Sequence, residues 1–446
     1  MEQRYLGLGT AVTPAMAKAM NRWQRSFYNL NTPKGGHPTG LAAALTGYLS
    51  TMVTSELAVR ISGGARAGYL QRTMDRFMPA LQRAVQLAAA EGQCVLRPRI
   101  EDGEILVELI QGSRFYPIRF DPSGRPSAGY FADFRTSGSE ELVRLESFDY
   151  RAGTLILENH AYRLKGDKLD REIPLDSLAC WSGLEKETVV EKAPGPLFGL
   201  IRMPFAGTVD PASELPVSLY AGAEESIREF DRLYGELLYE LHSGKRKRIL
   251  ERQALPGLSG KPVPGALGYQ DLTADTYLVL DPMEQQKPFD DYSPVMRTEE
   301  YLSALRSLLH LIENQCHLSA GALALEVGSG GPVTATEIVS RDRTTYHTCA
   351  AVQEQGLRPA LLDLIAAMDA LCDLYGLCPA GRFETAITFG DSVFEDTGTE
   401  FDRLLRMAQA QILRPEKLLS WYFHVDEDTA RRDYLKKEET DGHRDP

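Results

Sequence analysis

The sequence predicts an α+β protein, mainly helical, organised around two long helices and a third that is bent. Three observations predict it. Apolar residues recur at three- and four-residue steps over Pro216–His242 and Thr298–Leu318, the period of helices with one broad face to bury. A helix-compatible stretch from Thr334 to Leu377 carries Gly356 and Pro359 at its middle, which kink it near Leu357. Between Cys94 and Leu164 the period shortens to β-rich runs separated by turn residues.

Taken in order, Pro14–Leu30 reads as an amphipathic helix with Met16, Met20, Trp23 and Phe27 on one face. Leu41–Ile61 is helical or mixed. Ala65–Glu91 is a third helix with Leu70, Met74, Phe77, Leu81, Val85 and Ala88 on its buried side, ended by Gly92. Strands follow at Cys94–Arg99, Glu104–Ile110, Phe115–Phe120, Ser127–Phe134, Glu141–Tyr150 and Thr154–Leu164. The turns Glu101-Asp-Gly103, Asp121-Pro-Ser-Gly124 and Arg151-Ala-Gly153 punctuate them into an antiparallel sheet. Glu172–Asp210, rich in proline and glycine, reads as a long packed connection.

The helix over Pro216–His242 repeats Ile227, Phe230, Tyr234, Leu237 and Leu241, and Lys245-Arg246-Lys247-Arg248 follows its end, where cations suit the negative end of the helix dipole. A short excursion with strand-like runs at Arg248–Leu250 and Thr276–Leu280 leads to the helix at Thr298. That helix opens with acids in its first turn and buries Leu302, Leu305, Leu309, Ile312 and Cys316, with Leu308 and Leu311 widening the stripe. Glu326-Val327-Gly328-Ser329-Gly330-Gly331 is too glycine-rich for regular structure. Thr334-x-x-Glu337 then restarts a helix at capping-box spacing. Its roughly forty residues would span about 60 Å. A strand at Thr385–Phe389 and short helices at Phe401–Gln411, Pro415–Phe423 and Glu427–Lys437 complete the chain.

Composition narrows the function. The 446 residues suffice for two to four domains or subdomains. A net charge of −13 argues against a basic nucleic-acid binder, whose affinity comes from many phosphate-neutralising Lys and Arg. No apolar run reaches membrane-spanning length, and Met-Glu-Gln-Arg-Tyr at the N-terminus lacks a signal core, so neither membrane nor secretion is expected. Six cysteines without a CxxC pair fit a reducing compartment. Gly257-x-x-Gly260-Lys261 runs into proline and so is no P-loop, and no Gly-x-Ser-x-Gly elbow occurs.

His310, Glu313 and His317 share a helical face and are a candidate metal site, for a cytosolic metal-dependent hydrolase. That helix already has an apolar face to bury, and the spacing matches no known zinc motif. Asp391, Glu395 and Asp396 are a second candidate, a carboxylate metal site, against the ordinary reading of a capped turn, and Asp391 with Asp396 would serve a packaging-associated nuclease. No nucleophile has a base beside it, so catalysis is not expected and no cofactor is implied.

The chain resembles the portal (head–tail connector) proteins of tailed bacteriophages of the long non-contractile-tail type. The most specific match is Thr334-Ala-Thr-Glu-Ile-Val-Ser-Arg-Asp-Arg-Thr-Thr-Tyr346, similar to the opening of that family's long channel helix. Glu299–Leu318 running into Ser319-Ala-Gly321 is similar to one stem helix and the turn after it. Leu215–Arg248, ending in Gly-Lys-Arg-Lys-Arg, is similar to the other stem helix and the basic strand entering the clip. Asn21-Arg-Trp23 with Tyr28, and the block Leu81–Phe120, match more loosely.

The resemblance implies a wing over 1–212, a first stem helix over 213–243 and a clip over 244–296. A second stem helix would cover 297–319, a tunnel-loop region 320–333 and the long kinked helix returning to the wing 334–390. A short crown would cover 391–446. The Pro/Gly-rich stretch Pro256–Gly268 is a departure from the usual clip. The family's function implies a homo-oligomeric ring, typically of twelve copies, at the portal vertex of the virion, assembled in the host bacterial cytoplasm. Double-stranded DNA would pass non-specifically along Glu326, Val327, Gly328, Ser329, Gly330 and Gly331, and Lys245, Arg246, Lys247 and Arg248 would face the terminase large subunit. Major capsid and scaffold proteins and a head–tail adaptor would be the other partners. Twelve copies at −13 each carry −156, so such a ring repels a polyanion and does not trap it.

Overall fold

The computed structural model describes residues 6, 8–30, 37–166, 168–243, 247–251, 277–280, 289–292, 295–323, 343–390, 397–410, 412–423 and 431–432. Helix α1, Pro14–Phe27, starts where Thr13 accepts the amide of Met16 at 3.2 Å and Pro14 gives up no needed donor. Met16, Met20 and Trp23 lie buried along one face. Helix α2 is Leu41–Thr54, the first part of the stretch expected to be helical or mixed. Its continuation is a strand, β1, Ala58–Gly63, whose Val59 and Ile61 alternate inward. Helix α3, Ala65–Glu91, buries the predicted stripe and ends at Gly92 with φ 87°, the left-handed cap. A Cβ on Gly92 would also strike the Pro216 carbonyl oxygen, at 2.5 Å.

The β-rich part forms two sheets. Strands β2 (Gln93–Glu101) and β3 (Glu104–Gln111) make a hairpin around Asp102 and Gly103, both at positive φ. Strands β4 (Phe115–Phe120), β5 (Pro126–Ser137), β6 (Glu140–Arg151), β7 (Thr154–Lys165) and β8 (Lys168–Ile173) follow as an antiparallel meander. Strand β9, Glu187–Glu191, pairs with β7, and β10, Gly199–Arg202, pairs with β2. The expected connection over Glu172–Asp210 thus holds two strands. Their partners lie far away in sequence, and turn residues surround them, so no local pattern marks them. Phe115, Phe131, Phe148 and Phe198 fill this part, with ring centres 5.2–6.0 Å apart.

Helix α4 is Glu224–Ser243, preceded by one 3-10 turn at Ala221–Ala223. Pro216–Tyr220, expected to be helical, is not. Its apolar side chains are buried, and Leu219 donates its amide to the Ala89 carbonyl at the end of α3. Strand β11, Lys247–Glu251, lies between a parallel β12, Tyr277–Leu280, and an antiparallel β13, Phe289–Tyr292. Helix α5 is Thr298–Gln315. Helix α6, Arg343–Ala351, passes into a π-helical segment, Val352–Leu357, and resumes as α7, Arg358–Tyr375. Strand β14, Phe383–Thr388, pairs antiparallel with β1, Ala58 opposite Thr388. Helices α8, Thr397–Gln409, and α9, Pro415–Phe423, follow. Of the helix expected at Glu427–Lys437, residues 431–432 are helical and the rest lie outside the described residues.

Candidate functional site

Two features of the helical half set it apart: the α4–α5 pair and the interrupted helix. The base of α4 is tied to α1. Glu224 accepts from Arg22 Nε at 2.7 Å and Trp23 Nε1 at 2.8 Å, and the Tyr220 hydroxyl donates to the Trp23 carbonyl at 2.8 Å. Two turns on, buried Asp231 accepts the amide and the hydroxyl of Thr39 at 2.9 and 2.6 Å. Helix α5 returns antiparallel, because Gly222 faces the Gln315 carbonyl at one end and Arg297 pairs with Glu240 at 3.1 Å at the other.

The apolar seam is buried near the base, through Ile227, Phe230, Leu237, Leu305, Leu309 and Ile312. At the far end apolar side chains are uncovered: Leu241 of the seam, Tyr239 on the opposite side of α4 at 73% exposed, and Val295 (93%) and Met296 just before α5. The outer face of α4 carries charges of alternating sign, Arg228 with Glu225 and Arg232 between Glu229 and Glu236.

Glu313 on α5 is fully buried. Its two oxygens accept the amides of Gly321 at 2.7 Å and Leu323 at 2.8 Å, with His310 Nδ1 3.1 Å from Oε2. A carboxylate so placed closes the turn after α5. Ser319 and Thr345 then exchange hydrogen bonds, amide to hydroxyl in both directions at 2.8 and 3.1 Å, and the Thr348 hydroxyl reaches the His317 carbonyl at 2.7 Å. The exit of α5 and the start of α6 are therefore clasped together across residues 324–342.

The interrupted helix grips the β-rich part through glycine. A π-turn is wider than an α-turn and shifts the face that follows it. Here it sets Gly356 on the Arg202 backbone of β10, so that an added Cβ would collide with the Arg202 carbonyl oxygen. From the other side, Gly199 of β10 leaves no room between itself and the Ala360 carbonyl. Pro359 sits in the first turn of α7, where its missing donor costs nothing. Arg202 extends away to donate to the Gly124 and Glu214 carbonyls, both at 2.6 Å. At the far end of α7, buried Arg66 of α3 pairs with Asp373 and with Asp369 at 3.4 Å. The β-part, α3 and α7 are held as one packed unit.

The predicted site residues fare differently. Glu326, Val327, Gly328, Ser329, Gly330, Gly331, Lys245 and Arg246 lie outside the described residues, as do Asp391, Glu395 and Asp396. Lys247 and Arg248 lie in β11, in register with Tyr292 and Asp291 of β13. The metal reading of His310, Glu313 and His317 is corrected. Both Glu313 oxygens are occupied by backbone amides, and the His317 ring stacks on Phe205, centres 5.2 Å apart. Among the described residues no three His, Cys, Asp or Glu side chains are grouped to hold a metal, and no helix is long and apolar enough to cross a membrane.

Sequence reasoning missed the buried ionic groups. Glu91 holds Gln24 and the Ser113 amide, at 2.9 and 2.7 Å. Glu146 lies between Arg97 and Arg144. Charged residues at inward-facing positions of otherwise apolar elements were the available signal.

Residues 287–444, which run through α5, the clasp, the interrupted helix and the C-terminal helices, match the family model described as phage portal protein, SPP1 Gp6-like. The chain resembles phage portal proteins. Three solved structures align along nearly its whole length. A chain of the virion of a native gene transfer agent (GTA) particle is 11% identical over 94% of this chain and 96% of its own, with a TM-score of 0.45. A chain of the neck of an empty GTA particle, computed with C6 symmetry, is 11% identical over 90% and 94%, at 0.43. One from the neck of the native particle, computed with C12 symmetry, is 12% identical over 92% and 94%, at 0.40. No curated protein matches the chain.

Proposed function

We propose that this chain is a portal subunit that packs with copies of itself into a ring at one vertex of a phage head. The ring is the conduit through which double-stranded DNA is packaged and later ejected. Its clip, at 244–296, docks the terminase large subunit during packaging and the head–tail adaptor afterwards. No catalytic step is assigned to it.

The observation that carries this reading is the bare far end of the α4–α5 pair, within a chain whose residues 287–444 match the portal family. Tyr239, Leu241, Val295 and Met296 are apolar and uncovered there. Fully burying a side chain of this size contributes about 1.5–3 kcal/mol. A neighbouring copy of the same pair offers a face of the same kind around a ring. A net charge of −13 per subunit suits a channel that must release its polyanionic cargo.

Mass photometry and negative-stain imaging of the purified chain test the reading. Rings of about a dozen copies are expected. Tyr239→Glu with Val295→Glu is expected to shift them to small species while leaving the circular dichroism spectrum unchanged. A monomer at every concentration would refute the proposal.

A further inference from the structure

A second feature lies in the β-rich part, away from the helices. Strands β2, β3, β5 and β6 and the segment around Cys180 and Trp181 enclose a cleft of about 350 Å³, at the small end of the ~300–1,000 Å³ usual for ligand cavities. Five guanidinium groups line it, from Arg97, Arg99, Arg114, Arg135 and Arg144, against three carboxylates, Glu108, Asp133 and Glu146. In a chain of net charge −13 this lining holds more guanidiniums than carboxylates, with Arg99 also paired to Glu101 just outside it at 2.7 Å.

Two of the lining carboxylates are already shared. Glu146 is buried and shared between Arg97 and Arg144. Asp133 is shared between Arg135, at 3.0 Å, and Trp181 Nε1, at 2.9 Å. Arg144 Nε is buried without a hydrogen-bond partner. The Arg97 guanidinium lies over the Phe131 ring, 5.0 Å from its centre, which fixes its plane. Arg99 and Arg135, each half exposed, complete the lining.

We propose that this cleft is an anion site that takes a phosphate group, carried either by a small molecule or by a nucleic-acid backbone. Planar guanidinium forks match phosphate oxygens two by two. A backbone phosphodiester brings one negative charge and a phosphate monoester about −1.5 to −2 at neutral pH, and either offers paired oxygens to the forks.

Cys180 lines the same cleft and is exposed, so its alkylation reports occupancy. Cys378, partly exposed and not part of the lining, serves as the internal control. The full chain is treated with iodoacetamide at constant ionic strength in the presence of chloride, inorganic phosphate, deoxyadenosine monophosphate or a DNA duplex with unphosphorylated ends. Peptide mass spectrometry then reads the two thiols. Phosphate or the mononucleotide is expected to slow Cys180 at least fivefold relative to chloride and to leave Cys378 unchanged. Protection by these two alone supports the site with a small-molecule ligand, and protection by the duplex as well supports it with the backbone as a source. Arg99→Gln with Arg135→Gln, at exposed positions that should leave the fold intact, is expected to abolish the protection. The proposal is overturned if none of the three phosphate sources protects Cys180, or if the double variant is protected as fully as the parent.

Discussion

The contact between the π-segment and β10 makes two identical substitutions act with opposite sign. Gly68 lies in the first turns of α3, and a Cβ there would meet only the tip of Arg72, at 3.7 Å. Gly68→Ala should therefore stabilise the chain by about 0.4–1 kcal/mol, by narrowing the unfolded ensemble. Gly356→Ala gains the same amount, but its Cβ would press on the Arg202 carbonyl, whose carbon is 3.5 Å away and whose oxygen is nearer still. Neither backbone yields easily. Arg202 is in register with Gln93 of β2, and its side chain is tied to two further carbonyls.

Overpacking of this kind costs about 1–3 kcal/mol, so Gly356→Ala should be net destabilising by about 1–2 kcal/mol. The two variants should then differ by the overpacking cost, about 1–3 kcal/mol. Urea denaturation followed by circular dichroism, on unassembled protein, reads the difference as midpoints moving apart on either side of the parent. If Gly356→Ala raises the midpoint as Gly68→Ala does, the helix is not seated on β10 through its glycine. Gly199→Ala should also destabilise, since its Cβ would lie 3.0 Å from the Ala360 carbonyl carbon and 3.3 Å from Leu364 Cβ. Its effect should not add to that of Gly356→Ala, because both act on one interface.

Two other residues give separable outcomes. Glu313→Gln keeps one good acceptor where two amides need one each, and hydrogen bonds to a charged group contribute about 1.5–3 kcal/mol. Exchange of the Gly321 and Leu323 amides should accelerate, while EDTA leaves the parent's melting unchanged; normal exchange, or melting that EDTA lowers, would show the carboxylate is not a cap. For Glu146, burial alone would push the carboxyl up, but Arg97 and Arg144 outweigh it and hold it below its ordinary value. Its stabilisation is thus present above the unfolded-state pKa of about 4.3 and is lost as pH falls through the lower folded value. Glu146→Gln should cost roughly 3 kcal/mol at pH 7, and the gap from the parent should close under acid conditions. A gap equal at pH 3.5 and pH 7 would contradict the ion-paired state.

Wherever a face is buried against a neighbour close in sequence, the pattern of residues was enough. Helix α3 follows the apolar stripe of Ala65–Glu91 to its expected ends, and the meander of β4–β7 follows its turn residues, because hairpin and helix periods are written locally. The Thr334–Tyr346 motif and the flanking helices likewise carried the portal resemblance without any fold in hand.

Other features depended on distant partners. Leu41–Ile61 is no more than helical or mixed by its pattern, because β14, which completes strand β1 at its end, lies more than three hundred residues on. Pro216–Tyr220 looked helical, yet its amide and apolar groups are claimed by the end of α3. His310, Glu313 and His317 shared a helical face in sequence, but only the folded turn beyond α5 placed two amides on Glu313 and turned His317 toward Phe205. Nor did spacing alone mark the arginine-lined cleft, whose side chains come from strands and loops that meet only when the sheets pack. Local periodicity decides which residues turn inward. What they meet there is decided by the packing of segments far apart in the chain.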